Sequence, residues 1–143
     1  SLMGKRCWGL ADKVTSALKL GWTALVSLDL SDNEIDDEIT KHLSFALQCC
    51  TNLTSLSLCD NKVSGVGASH LGTALAKFVR LEKLNLTGNR VGPNGARHIA
   101  EGLKAAMGVS TRLTHLGLGG GAIGHEGVEA LVPVFLPDCR SSP

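Results

Sequence analysis

Three histidines recur at a fixed spacing, because His42, His70 and His98 are separated by 28 residues each. Imidazole is a common zinc ligand, but ligand nitrogens must lie about 2.0–2.1 Å from the ion. Packed helices lie about 8–10 Å apart between their axes, so histidines on successive helices are poorly placed to share one ion. Each histidine also directly precedes an aliphatic residue. We therefore interpret this column as structural repetition and predict no metal site.

A glycine pattern near the carboxyl end, Gly119-x-Gly121-x-x-Gly124, formally matches the fingerprint of dinucleotide-binding loops. That fingerprint requires a βαβ unit, and no segment after this loop reads as its second strand. The glycines are better interpreted as a degenerate terminal loop, so no cofactor is predicted. Nor does the chain arrange Ser-His-Asp, Cys-His or paired carboxylates for catalysis. We predict that it is not an enzyme.

A repeat explains these local patterns. LVSLDLSDNEI, LTSLSLCDNKV, LEKLNLTGNRV and LTHLGLGGGAI begin at residues 25, 53, 81 and 113, in steps of 28, 28 and 32 residues. Residues two apart on a strand leave the same face, so Leu28 and Leu30 point inward while Ser27 and Asp29 point outward. A helical stretch follows each strand, and stacking such units closes a continuous core. The asparagines at the turns are predicted to satisfy backbone groups there.

These residues make the chain resemble the leucine-rich repeat family, specifically its ribonuclease-inhibitor-like subtype. The resemblance implies an α/β solenoid with a curved parallel sheet on the concave side and helices on the convex side. It also implies a protein partner held on the concave sheet and adjoining loops, although the partner's identity is not predicted. The candidate partner-binding residues are Ser27, Asp29, Ser31, Ser55, Ser57, Cys59, Lys83, Asn85, Thr87 and His115.

Charge is unevenly distributed over this predicted surface. Asp29, Asp32 and Asp60 make its first half acidic. Lys83, Arg90 and His115 make its second half more basic. Arg90 also invites comparison with Ran GTPase-activating proteins, which share the repeat subtype and act through loop residues. GTPase regulation is therefore a third, weaker hypothesis. The simplest interpretation of Asp36-Asp37-Glu38 is a helix start, where acids favour the helix dipole.

We divide the chain into one domain with six parts. They are a helical cap (5–24) that includes Trp8 and Trp22, full repeats (25–52, 53–80 and 81–112), a degenerate repeat (113–136) and a tail (137–143). Pro133 is predicted to stop the last helix near Val132. The carboxyl-terminal face looks thinly covered. A second hypothesis is therefore a structural role, as a scaffold segment or as a unit that self-associates through this edge.

Composition narrows the function classes. The 143 residues carry 14 basic and 13 acidic side chains, a net charge of +1, which argues against a nucleic-acid surface. No apolar run reaches the ~20 residues that cross a bilayer, and no secretory leader is visible. Five cysteines without CxxC pairs favour reduced thiols and a cytoplasmic, intracellular location. Cys49 and Cys50 are interpreted as small semi-buried residues, and Cys59 as part of the open strand face.

Overall fold

The computed structural model describes residues 22–107 and 112–135. A 3-10 turn at Trp22–Ala24 comes first, and four strand–helix units follow it. The strands are β1 (Ser27–Asp29), β2 (Ser55–Ser57), β3 (Lys83–Asn85) and β4 (His115–Gly117). The helices are α1 (Asp37–Leu47), α2 (Gly65–Leu75), α3 (Gly92–Met107) and α4 (Gly124–Phe135). Most of the predicted amino-terminal cap and the whole tail lie outside the described residues.

The four strands form one parallel sheet in the order β1-β2-β3-β4. Equivalent residues of successive repeats face each other, as Leu28, Leu56, Leu84 and Leu116 do. Leu56 and Leu84 are buried. The leucines two residues further along each of the first three repeats, Leu30, Leu58 and Leu86, are buried as well. The predicted α/β solenoid, with its sheet on the concave side, is confirmed.

The helices close the core from the other side. The predicted apolar pairs at i and i+4 are all buried, namely Leu43 with Leu47, Leu71 with Leu75, and Ile99 with Leu103. Helix α1 begins as the acidic triplet indicated, because Asp36 Oδ1 accepts a hydrogen bond of 2.9 Å from the Ile39 N–H. Helix α3 has 16 residues where α1 and α2 have 11 each, which accounts for the longer third repeat step.

Asparagine side chains tie consecutive repeats together. Asn61 Nδ2 donates to the carbonyls of Leu30 at 3.0 Å and Leu58 at 2.9 Å. Its Oδ1 accepts from the backbone N–H groups of Asn33 at 3.0 Å and Ile35 at 2.9 Å. One amide therefore serves backbone groups of its own turn and of the preceding turn, which confirms the role predicted for these residues. The fourth repeat has Gly121 at this position, so it lacks the amide.

A carboxylate makes a second tie between repeats, which the sequence pattern did not reveal. Asp37 Oδ1 accepts from the backbone N–H groups of Ser64 at 2.7 Å and Gly67 at 3.0 Å. The Ser64 hydroxyl donates to the other carboxylate oxygen. Asp37 in α1 thus supports the amino terminus of α2, where backbone N–H groups otherwise have no partner inside the helix.

Helices α2 and α3 approach each other through glycine. A Cβ added at Gly102 would overlap the carbonyl oxygen of Gly72, and one added at Gly72 would overlap that of His98. These positions therefore require glycine for steric reasons.

The prediction that Pro133 stops the last helix was wrong, because α4 continues to Phe135 with Pro133 inside it. Pro133 lies in the final turn, so its missing N–H removes a hydrogen bond only at the end of the helix. Val134, one residue further, is buried in the core. Among the described residues, no helix combines the length and apolar character needed to cross a membrane.

Candidate functional site

The ten candidate residues lie together on the outward face of the sheet. Register places Ser27, Ser55, Lys83 and His115 in one row across the strands, and Asp29, Ser57, Asn85 and Gly117 in the next. Backbone bonds from Asp32 to Cys59 (2.9 Å) and from Asp60 to Thr87 (2.8 Å) continue the ladder beyond the strands. Each candidate residue is exposed or half-buried. The sheet thus presents a polar surface of small side chains, which we call the concave face.

The β1 side of the concave face is organised around a carboxylate. Asp29 Oδ1 accepts hydrogen bonds from the Ser31 N–H at 3.0 Å and from its hydroxyl at 2.5 Å. Ser31 Oγ also lies 2.8 Å from Ser57 Oγ, which links the first two repeats. The two bonds from Ser31 favour the ionised carboxylate and lower the pKa of Asp29. This part of the surface carries a fixed negative charge.

Cys59 adjoins a second carboxylate. Its Sγ donates to Asp60 Oδ2 at 3.2 Å. That hydrogen bond, followed by burial and by the nearby charges of Asp60 and Asp29, raises the pKa of the Cys59 thiol. A reactive cysteine needs a lowered pKa and a basic environment, so this thiol is suited to contact rather than to nucleophilic chemistry.

Aspartates also occupy backbone positions with positive φ angles in the loops that follow β1 and β2. Asp32 and Asp60 have positive φ angles of 57° and 53°, where the third and fourth repeats have Gly88 and Gly120. Aspartate tolerates this region better than most residues. An acidic side chain at this loop position is therefore found only in the first two of the four repeats.

The β3–β4 side of the concave face holds a depression of about 620 Å³. Lys83 and His115, which face each other across β3 and β4, line it together with Asn85, Thr87 and Thr114. Gly117 forms part of its floor, because a Cβ there would lie 2.5 Å from Asn85 Oδ1 and 2.7 Å from Thr87 Oγ1. The glycine of the fourth repeat leaves room into which the side chains of Asn85 and Thr87 extend.

Thr114 was not among the predicted site residues. Its hydroxyl donates to the Glu82 carbonyl at 3.1 Å and lies 2.8 Å from His115 Nδ1. Thr54 occupies the equivalent place in the second repeat and donates to the Val26 carbonyl at 3.0 Å. A hydroxyl residue directly before the outward-facing strand position was the sequence signal that could have identified it.

The histidine column lies on the helices and away from the concave face. His42 pairs with Glu38 at 3.2 Å and His98 with Glu101 at 3.6 Å, each within its own helix. In the part of the chain that the structure describes, no cluster of three or more His, Cys, Asp or Glu side chains could hold a metal ion.

Other residues considered in the sequence also have defined places. Arg90 is exposed in the loop between β3 and α3. Cys49, Cys50 and Cys59 are free thiols. The predicted semi-buried character of the adjacent cysteines was wrong for both, since Cys49 is exposed and Cys50 is buried.

The repeated strand–helix architecture and its asparagine ties define a class of repeat protein whose core is built from stacked leucine layers. A family model described as Leucine Rich repeat matches residues 23–43, 49–72, 81–100 and 109–132. The chain therefore belongs to the leucine-rich repeat family, whose members typically mediate protein–protein interactions without catalysing a reaction. A comparison with curated proteins found no match.

Proposed function

We propose that the chain is a non-enzymatic protein-interaction module that holds a protein partner across the concave face. The observation that carries this proposal is the alignment of small polar residues in rows over all four strands. Hydroxyl, amide and charged groups there can bond to a partner's backbone and side chains. Among the described residues, the concave face has no Trp or Tyr, which often anchor tight interfaces, so a polar contact of moderate strength is expected.

Site-specific photo-crosslinking tests this placement. A p-benzoylphenylalanine residue is introduced at Ser55 on the concave face and, separately, at Thr73 on the exposed surface of α2. After irradiation in cell lysate, mass spectrometry should identify a partner crosslinked from Ser55 and not from Thr73. Crosslinks formed only from Thr73 would move the interface to the convex helices and refute the proposal.

Loss of binding gives a second, independent readout with the identified partner. The triple variant Asp29→Ala/Lys83→Ala/Asn85→Ala should abolish binding and leave the circular dichroism spectrum intact. A matched triple variant on the helices, His42→Ala/Thr73→Ala/Glu101→Ala, should bind normally. Unchanged affinity of the concave-face variant would contradict the proposal.

A second candidate function, self-association, is supported by the outer surface of the last repeat. Val128, Val132 and Phe135 in α4 are 50%, 39% and 43% exposed. The equivalent residues of α3, one repeat earlier, are buried between helices. They are Ala96, Ala100 and Leu103. An apolar stripe beside the edge strand β4 is a surface on which a second copy can pack.

Sedimentation over a concentration series tests self-association. The wild-type chain should form dimers as its concentration rises, and Val132→Glu should keep it monomeric. Val66→Glu changes a valine on α2 that is 60% exposed, more than the 39% of Val132, and should leave dimerisation unaffected. A wild-type chain that stays monomeric throughout would exclude this function.

A helix in every unit supports the ribonuclease-inhibitor-like subtype, and the free thiols are compatible with a cytoplasmic location. GTPase regulation through Arg90 is tested by adding the chain to a GTP-loaded small GTPase. Hydrolysis that is not accelerated, or whose acceleration survives Arg90→Ala, would exclude it.

A further inference from the structure

Basic residues cluster at the starts of the third and fourth repeats. Arg80 and Arg112 hold equivalent positions directly before the leucines that open these repeats, and both are exposed. Lys83 and His115 face each other in register two residues into the same segments. We call these four residues the basic corner. In the first two repeats, the equivalent residues are uncharged, namely Ala24, Asn52, Ser27 and Ser55.

The ion pairs that the structure describes leave the basic corner free. They involve Lys41, Lys62 and three histidines other than His115. Adjacent strands lie about 4.8 Å apart, so Lys83 and His115 are close enough for one carboxylate group to contact both. One acid, Glu82, lies beside Lys83 in the sequence, but its carboxylate is not in any of these ion pairs. Its backbone carbonyl accepts hydrogen bonds from the Thr114 and His115 N–H groups.

The depression beside the basic corner suits an acidic side chain. All of its lining side chains are neutral or basic. Asn85 Oδ1 is taken by the Thr87 N–H at 3.0 Å, and the amide NH₂, which also bonds to Cys59, has a second hydrogen to donate. Thr114 gives its hydroxyl hydrogen to the Glu82 carbonyl, so His115 Nδ1–H donates to Thr114 Oγ1 at 2.8 Å, and the ring's Nε2 can donate to a carboxylate in the imidazolium form. Cations and amide donors are the groups that bind carboxylates.

We propose that the basic corner and its depression bind an acidic segment of the partner protein through its Asp or Glu carboxylates. This inference rests on the proposed concave-face function and specifies the chemistry of the partner. A nucleic acid fits less well, because Asp29 and Asp60 on the same sheet would repel phosphates that extend beyond the corner. The charge pattern also orients the partner, with its acidic end over β3 and β4.

Titration of the ¹⁵N-labelled chain with defined probes tests the site by NMR. Acetyl-hexaglutamate amide should shift the amide signals of Lys83, Asn85, His115 and Gly117 saturably, and acetyl-hexalysine amide should not. The triple variant Arg80→Gln/Lys83→Gln/Arg112→Gln should weaken hexaglutamate binding by about tenfold, the sum of three exposed charge contacts. The control triple Lys41→Gln/Lys62→Gln/Arg97→Gln makes the same charge change elsewhere and should alter binding less than about twofold.

Four outcomes would overturn the inference. Hexaglutamate shifts that miss β3 and β4, or that are lost equally in both triple variants, would show attraction to net charge alone. A hexathymidylate that binds the same residues more tightly would indicate a nucleic-acid site. If Ser55 crosslinks a partner while hexaglutamate fails to bind, only the carboxylate site fails. If the photo-crosslinker at Ser55 captures no partner while hexaglutamate binds at the basic corner, the carboxylate site stands and the proposed function fails.

Discussion

Asn89 Nδ2 donates to the Leu58 carbonyl at 2.8 Å across the boundary between two repeats. The same nitrogen donates to the Leu86 carbonyl at 2.9 Å, and Oδ1 accepts from the Val63 N–H at 3.0 Å. Asn89 is buried, so truncation would leave these backbone groups without partners. We expect Asn89→Ala to lower the free energy of unfolding by about 3 kcal/mol.

Urea titration measures this loss, and Asn94→Ala is its control because Asn94 is exposed near the start of α3. The control should change stability by less than about 0.5 kcal/mol. Equal effects of the two variants would show that the buried amide does not connect the repeats.

The orientation of β2 predicts a contrast between neighbouring residues. Leu58 is fully buried between repeats, so Leu58→Ala should cost about 2–5 kcal/mol through the cavity it leaves. Ser57→Ala, on the concave face, removes one hydroxyl contact with Ser31 and should cost about 1 kcal/mol or less. Urea titration of both variants checks the orientation. A larger loss for Ser57→Ala would mean that the strand faces the other way, and the candidate site would fall with it.

Thiol reactivity should reveal the influence of Asp60 on Cys59. The Asp60 carboxylate raises the pKa of this thiol, so less thiolate is present at pH 8 and alkylation by iodoacetamide is slow. Asp60→Asn should lower the pKa and speed modification of Cys59, as followed by peptide mass spectrometry. Asp32→Asn, at the equivalent position one repeat earlier, should leave the rate unchanged. A rate that is insensitive to Asp60→Asn would contradict the assigned cause.

The glycine contact between α2 and α3 predicts a steric penalty. Gly102→Ala would place a methyl group against the Gly72 carbonyl and should cost about 1–3 kcal/mol through overpacking. Gly119→Ala is the control, since the nearest atom to its added Cβ would be 3.5 Å away. Thermal unfolding of both variants measures the difference. A Gly102→Ala chain as stable as the control would refute the close approach.

The sequence pattern predicted features that depend on period and left out those that depend on how helices meet. Alternation alone separates Leu58 from Ser57, because a strand has two faces. The reach of Asp37 to Ser64 depends on the distance between two helix ends, which no local spacing encodes. The Gly72–Gly102 contact is also non-local. The sequence shows that residue 117 is glycine, but it does not show the size of the depression there. That size depends on how the side chains of Asn85 and Thr87 extend over the glycine.

The glycines between α2 and α3 also bear on the curvature of the solenoid. Curvature arises because packed helices lie about 8–10 Å apart while paired strands lie about 4.8 Å apart. The helix pair that meets at Gly72 and Gly102 has no side chains holding it apart at that point, which reduces the mismatch. Closer packing of α2 and α3 bends the sheet less between β2 and β3 than two helices separated by side chains would.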